Sequence, residues 1–308
     1  MSLAIRDAYG NSLAKYGAMY PNVVALDADV SSSTKSGVFG KAYPERFFNV
    51  GIAEANMNAM ACGMASAGKI PFVNTFATFI TSNGLLSLRA LASYSNLNVK
   101  VMGAYGGLSD AYDGPSHHSI DDLAIMAALP NFTVLVPSDE VITDWMVKTC
   151  IEREGPVYMR LSRDVMPVQY KEGEAFELGK AKTLREGEDI SILACGVMVG
   201  KAMEAAETLA KEGISARVLD MFSIKPVDED AIIQAATQTG GIVVAEEHNV
   251  YGGLCSIVAS TLVRRQASCP VAFVALEDTH AETGGYAGLL QKYGLDASSI
   301  VKAVRKLR

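Results

Sequence analysis

The chain has 308 residues, 49% of them hydrophobic, enough for two packed domains around a sizeable core. Its formal net charge of −7 argues against a nucleic-acid partner, because phosphate-backbone binding needs a basic surface. No apolar run approaches the ~20 residues that cross a bilayer, so no membrane partner is expected either. The opening Met1-Ser2-Leu3-Ala4-Ile5-Arg6 lacks a charged-then-apolar leader, which predicts a cytoplasmic protein. Five cysteines without paired spacing or a Cys-x-x-Cys predict buried free thiols rather than disulfides or a zinc site.

Residues 3–19 have helical periodicity, with Leu3, Tyr9, Leu13 and Tyr16 sharing a face, and Pro21-Asn22 ends the segment. Residues 23–26 read as a short buried strand that delivers Asp27, Asp29 and the run Ser31-Ser32-Ser33-Thr34 to its carboxyl end, where parallel α/β sheets keep their ligand sites. From Asn49 to Ala65 the pattern is a strand end, a glycine turn at Gly51 and a helix of small residues. Glu54 is the one residue there that can carry charge. Read alone, a carboxylate in a first helical turn complements the helix dipole. Residues 70–74 form another strand, followed at the same end by Phe76 and Phe79, which read alone are core.

A further strand over 97–104 feeds the glycine-rich loop from Tyr105 to Asp113; Gly106-Gly107 lacks the spacing of a nucleotide-phosphate loop. The loop runs on into Asp113-Gly114-Pro115-Ser116-His117-His118. Histidine titrates near neutrality and both donates and accepts, so it suits proton transfer to and from substrate oxygens. A helix over 121–128, a strand over 133–136, a helix from Pro137-Ser138 to about Arg153 and a strand over 157–161 complete this half, which ends on Ser162-Arg163. Residues 165–178 lose periodicity and read as a linker. Strands over 190–194, 216–220, 241–245 and 271–275 then alternate with helices near 198–212, 228–237 and 252–265, the pattern of a second, mostly parallel α/β unit.

Three stretches together, Gly51-Ile52-Ala53-Glu54, Asn74-Thr75-Phe76-Ala77-Thr78-Phe79 and Asp113 to His118, resemble the pyrimidine-binding half of transketolase, a thiamine diphosphate enzyme. In that family a glutamate in a Gly-x-x-Glu turn touches the ring nitrogen of the cofactor's aminopyrimidine, and Glu54 falls on that position. A proton shared there lets the cofactor's own amino group deprotonate the thiazolium carbon, which makes Glu54 catalytic. The resemblance implies that Phe79 stacks on the aminopyrimidine, with Phe76 packed beside it. It places Asp29, Ile52 and Ser82 at the same pocket, Ser82 standing where many members carry a tyrosine. His117 matches the active-site histidine and Asp113 the aspartate near the substrate hydroxyls. Arg6, Ser33 and Arg163 match residues used on the sugar phosphate, where an arginine pair can clamp bidentately. Tyr105 departs from the family, in which many members have a phosphate-contacting histidine.

Glu246 to Asn249 and Tyr251-Gly252-Gly253 look like the family's C-terminal domain, which mainly builds the dimer. The expected organisation is α/β throughout: a doubly wound pyrimidine-binding domain at 1–164, a linker at 165–178 and a transketolase C-terminal domain at 179–308. The family's remaining domain, which holds the diphosphate and a divalent metal such as Mg2+ through a Gly-Asp-Gly motif, has no counterpart in the sequence. The resemblance therefore implies the C-terminal subunit of a split transketolase. Such a subunit would be inactive alone, homodimeric within a heterotetramer, and would move a two-carbon ketol unit between phosphorylated sugars with a separate N-terminal subunit. A 1-deoxyxylulose 5-phosphate synthase-like or 2-oxo acid dehydrogenase beta-like subunit shares the Gly-x-x-Glu turn. A non-catalytic interaction subunit is the alternative from another class.

Overall fold

A computed structural model describes residues 2–308. Twelve strands are assigned among them: β1 (Val23–Asp27), β2 (Phe47–Asn49), β3 (Ile70–Phe76), β4 (Lys100–Ala104), β5 (Thr133–Leu135), β6 (Val157–Leu161), β7 (Lys182–Arg185), β8 (Ile190–Ala194), β9 (Ala216–Asp220), β10 (Ser223–Lys225), β11 (Ile242–Asn249) and β12 (Val271–Leu276). Seven form one sheet, in the order β10-β5-β6-β4-β3-β1-β2, and five form a second, β12-β11-β8-β9-β7. Strands β1, β3, β4 and β6 are buried along their whole length, as continuous apolar runs covered by helices on both faces must be. Every pairing in the first sheet is parallel except β10 on β5, and every pairing in the second except β7 on β9.

The strand β10 follows the second unit's β9 in sequence yet closes the edge of the first sheet, so the two halves share a sheet. Residues 165–178 carry no helix or strand, but they are not a free tether. Met166 and Tyr170 are buried, and the backbone amides of Gln169 and Tyr170 donate to Asp139 Oδ2 at 2.7 and 3.0 Å. Boundaries differ from the sequence reading where an end is capped or loses its ladder. The first helix is Ile5–Gly17, leaving Leu3 outside it and 40% exposed, and residues 97–99 precede β4 rather than belong to it. The helix expected at 252–265 is Leu254–Arg264, its first amides capped by Glu246, whose carboxylate accepts from Leu254 N and Cys255 N at 2.7 Å each. No helix of the described residues is long and apolar enough to cross a membrane.

The first sheet runs β1 to β2 on one side and then returns past β1 to β3, which makes the β1/β3 boundary its switch point. The loop of residues 105–121 lies beyond the ends of β4 and β6 and is held from beneath by the second unit. Leu108 N donates to Glu247 Oε1 at 2.8 Å, Asn249 N to the Ile120 carbonyl at 2.8 Å, and Gly284 N to the Ala111 carbonyl at 3.0 Å. Gly107, at φ 67°, is required here, because a Cβ on it would stand 2.3 Å from Glu247 Cδ.

Candidate active site

The carboxyl ends of β1, β3, β4 and β6 place the predicted residues on one side of the sheet. Gly51, at φ 74°, turns the chain after β2, and the helix Glu54–Ser66 then begins on the glutamate itself. Glu54 is only 5% exposed. Its one hydrogen-bond partner among the described residues is Thr75 Oγ1, at a long 3.5 Å, so the buried carboxyl has acceptor capacity to spare. Thr75 precedes Phe76, the last residue of β3, and Phe79 lies one turn into the helix Ala77–Ser82. The two phenylalanines are 5.7 Å apart. Phe76 is buried against Tyr105, stacked at 4.7 Å and 20°, while the half-buried Phe79 meets the edge of His117 at 5.1 Å. His117 Nδ1 pairs with Ser116 Oγ at 3.0 Å.

Tyr105 is the hub of the site's other end. It is 3% exposed, sits in the left-handed region at φ 62°, and has two guanidinium groups near its ring. Arg6 Cζ is 5.3 Å and Arg163 Cζ 5.2 Å from its ring centre. Arg6 Nη1 donates to the Tyr105 hydroxyl and, at 3.3 Å, to the Ser33 carbonyl. Ser33 therefore meets Arg6 through its backbone. Arg163 Nη1 pairs with Asp110 Oδ1 at 2.9 Å. Asp110 is fully buried, and burial together with neighbouring Asp113 pushes its carboxyl up to about 6 against the pull of Arg163.

Arg6, Ser33, Phe76, Phe79, Tyr105, His117 and Arg163 thus form one connected cluster, with Glu54 joined to it through the Thr75-Phe76 strand end. Asp113 is exposed and reaches the cluster through Asp110. Three predicted residues stand apart. Asp29, exposed at φ 68°, accepts from Asn49 Nδ2 at 2.7 Å; Ser82 is exposed and donates to the Thr78 carbonyl at 2.6 Å; Ile52 is 83% exposed. Sequence reasoning missed Asp110. The signal was present, since it is the one charged residue between Gly106 and Ala111, a stretch otherwise small or apolar.

A mostly parallel α/β sheet that gathers a buried carboxyl, an aromatic pair, a histidine and two arginines near its strand ends has the make-up of an enzyme site at a switch point. The family model described as "Transketolase, pyrimidine binding domain" matches residues 1–169, and "Transketolase, C-terminal domain" matches residues 179–300. The chain belongs to the transketolase family. It is 39% identical over 302 residues to a Methanocaldococcus jannaschii protein provisionally described as a transketolase C-terminal section, covering 97% of this chain and 95% of that one. Human transketolase is 37% identical across 99% of this chain, which spans 49% of its length. A solved structure described as a split-gene transketolase, inactive beta4 tetramer, superposes with a TM-score of 0.90 at 45% identity, covering 100% of this chain and 98% of that one.

Proposed function

We propose that this chain is the C-terminal subunit of a two-chain transketolase, moving a two-carbon ketol unit (glycolaldehyde) from a ketose to an aldose with thiamine diphosphate and a divalent cation. The observation that carries this reading is the buried Glu54 with its spare acceptor capacity, set beside Phe76 and the half-open Phe79. That set fits an aminopyrimidine: a carboxyl to exchange a proton with a ring nitrogen, an aromatic face to stack on, and little water to compete. When bound, thiamine diphosphate supplies the carbon nucleophile that accepts the ketol unit. Within this chain, Glu54 holds and returns the proton at the pyrimidine nitrogen. His117, fixed by the Phe79 edge and Ser116, moves protons at substrate oxygens. The far end of the sugar lies toward Arg6, Tyr105 and Arg163.

The relative described as a C-terminal section and the neighbour described as an inactive tetramer support a separate diphosphate-binding subunit. The test is turnover. Purified chain with thiamine diphosphate and Mg2+ is expected to be inactive and to gain ketol transfer on adding a chain with the diphosphate-binding domain. Turnover by the single chain would overturn the two-chain reading.

A further inference from the structure

Arg6 and Arg163 converge on Tyr105, yet neither is a free cation. Arg163 is paired at 2.9 Å with Asp110, which has no exposed surface. Arg6 donates to the Tyr105 hydroxyl and the Ser33 carbonyl and stands 4.0 Å from Asp7. The half-buried Asp164 lies in the field of both guanidinium groups. Two positive charges are thus answered by carboxylates of this same chain.

We propose that Asp110, acting with Tyr105, determines specificity at this end of the site and selects a sugar ending in an uncharged hydroxyl over one ending in a phosphate dianion. The proposal rests on the ketol-transfer reading above. A dianion would have either to pull Arg163 away from a buried carboxylate, leaving that charge unpaired, or to bind within a few ångströms of it. A hydroxyl meets neither obstacle. Asp110 Oδ2 is buried and accepts from no amide, guanidinium or hydroxyl donor among the described residues, with the Asp113 carboxyl beside the same residue, so it is an acceptor that a hydroxyl can donate to and a phosphate dianion cannot. The Tyr105 hydroxyl accepts from Arg6, so its own proton remains to be given to a sugar oxygen. Burial pushes Asp110 up to about 6, which leaves it mostly ionised at neutral pH and able to exclude an anion.

The test uses the full purified chain and inorganic phosphate, followed by calorimetry at fixed ionic strength and pH 7.5. Wild type is expected to bind phosphate weakly. Asp110→Asn keeps the shape and an acceptor for Arg163 but removes the charge, and should bind phosphate on the order of tenfold more tightly. Adding Arg163→Ala to that variant should abolish the gain, which locates the ion. Equal phosphate affinity in wild type and Asp110→Asn, whether tight or undetectable, would overturn the proposal, as would a gain that survives Arg163→Ala. None of these measurements needs turnover. A chain that binds as expected but supports no ketol transfer would therefore sink the functional reading and leave the charge selectivity standing.

Discussion

Both sheets carry carboxylates at or beyond the ends of their parallel strands, and apart from Asp27, buried and accepting from Val30 N, Thr34 Oγ1 and Ser36 Oγ, and Asp110, paired with Arg163, the two sets have opposite fates. In the first sheet Asp29 and Asp113 are open to solvent and Glu54 is buried with acceptor capacity unspent. In the second, Asp220, Glu246 and Glu247 are buried and held by donors from elsewhere in the chain, although Asp220 Oδ1 is left without a hydrogen bond among the described residues. Asp220 accepts from Ser138 Oγ at 2.5 Å and Tyr170 OH at 2.7 Å, Glu246 caps the helix Leu254–Arg264, and Glu247 holds Leu108 N. A carboxylate at a strand's carboxyl end is therefore not a site in itself. What separates the two sets is whether short hydrogen bonds from elsewhere in the chain already hold the carboxylate. In the second sheet Asp220 and Glu247 use those bonds to grip the first unit, including the loop that carries Asp113 and His117, while Glu246 caps a helix of its own unit. The C-terminal unit thus works on the site from below without entering it.

The largest expected effect lies on the unspent side. Glu54→Gln keeps the shape and a hydrogen bond but cannot exchange a proton. In the two-chain enzyme turnover should fall by about two to four decades, or about 3–5 kcal/mol in barrier. Glu54→Asp should fail as well, because the shorter side chain cannot reach. Proton-deuterium exchange at the thiazolium carbon reads the step directly. Wild-type exchange in the glutamine variant would move Glu54 to the spent class, a helix-end carboxylate with no chemistry.

The next effect lies on the spent side and reads out in stability. Burial pushes both Asp220 and Glu247 up to about 7, Asp220 with only neutral donors around it and Glu247 with Arg160 opposing the rise. Between the ordinary carboxylate range and pH 7 the folded chain therefore holds protons that the unfolded chain has released. In that window the slope of unfolding free energy with pH is negative, so stability should fall as pH rises from about 5 to about 8. Asp144, held low by Ser12, Lys15 and Tyr16, loses its contribution only below that window. Asp220→Asn keeps an acceptor for Ser138 and Tyr170 and should flatten the slope by a few kcal/mol over those three pH units. Urea midpoints at several pH values measure it, and an unchanged slope would mean that Asp220 folds as an ion.

Much of this contrast was legible in the sequence, and what was not has physical causes. Apolar runs such as 23–26 and 157–161 announce strands because a sheet covered on both faces leaves no polar alternation, and the glycine turn before Glu54 announces its helix. Strands β2, β7 and β10 escaped because each is three or four residues at or near a sheet edge, paired too briefly to impose a pattern. That β10 crosses to the first sheet is a tertiary fact with no local signal. Nothing in the sequence of Glu247 distinguishes it from Asp113, since the difference between gripping a loop and standing open on it is burial. The three-residue pattern of Phe76 and Phe79 fixed their neighbourhood. That Phe76 is covered by Tyr105 while Phe79 stays half-open is a tertiary arrangement between β3 and the loop after β4, which the sequence does not show.

The smallest effect should come from Arg6, which lies between the two classes. Its guanidinium is partly committed, to the Tyr105 hydroxyl and the Ser33 carbonyl, yet its Nε makes no hydrogen bond among the described residues and stands 4.0 Å from Asp7. A side chain that binds the sugar's far end holds the ground state and the transition state alike, so its loss should raise KM and spare kcat. Because part of its bonding is already spent within the chain, Arg6→Ala should raise KM by no more than about tenfold, or about 1.4 kcal/mol, with kcat within about twofold. A fall in kcat with KM unchanged would mean that Arg6 works instead by holding Tyr105 in place. Tyr105→Phe separates the two, since it removes the hydroxyl that accepts from Arg6 while keeping the ring on Phe76. If Arg6 serves mainly as a support for Tyr105, the two variants should share one phenotype, and their double mutant should be no worse than either alone.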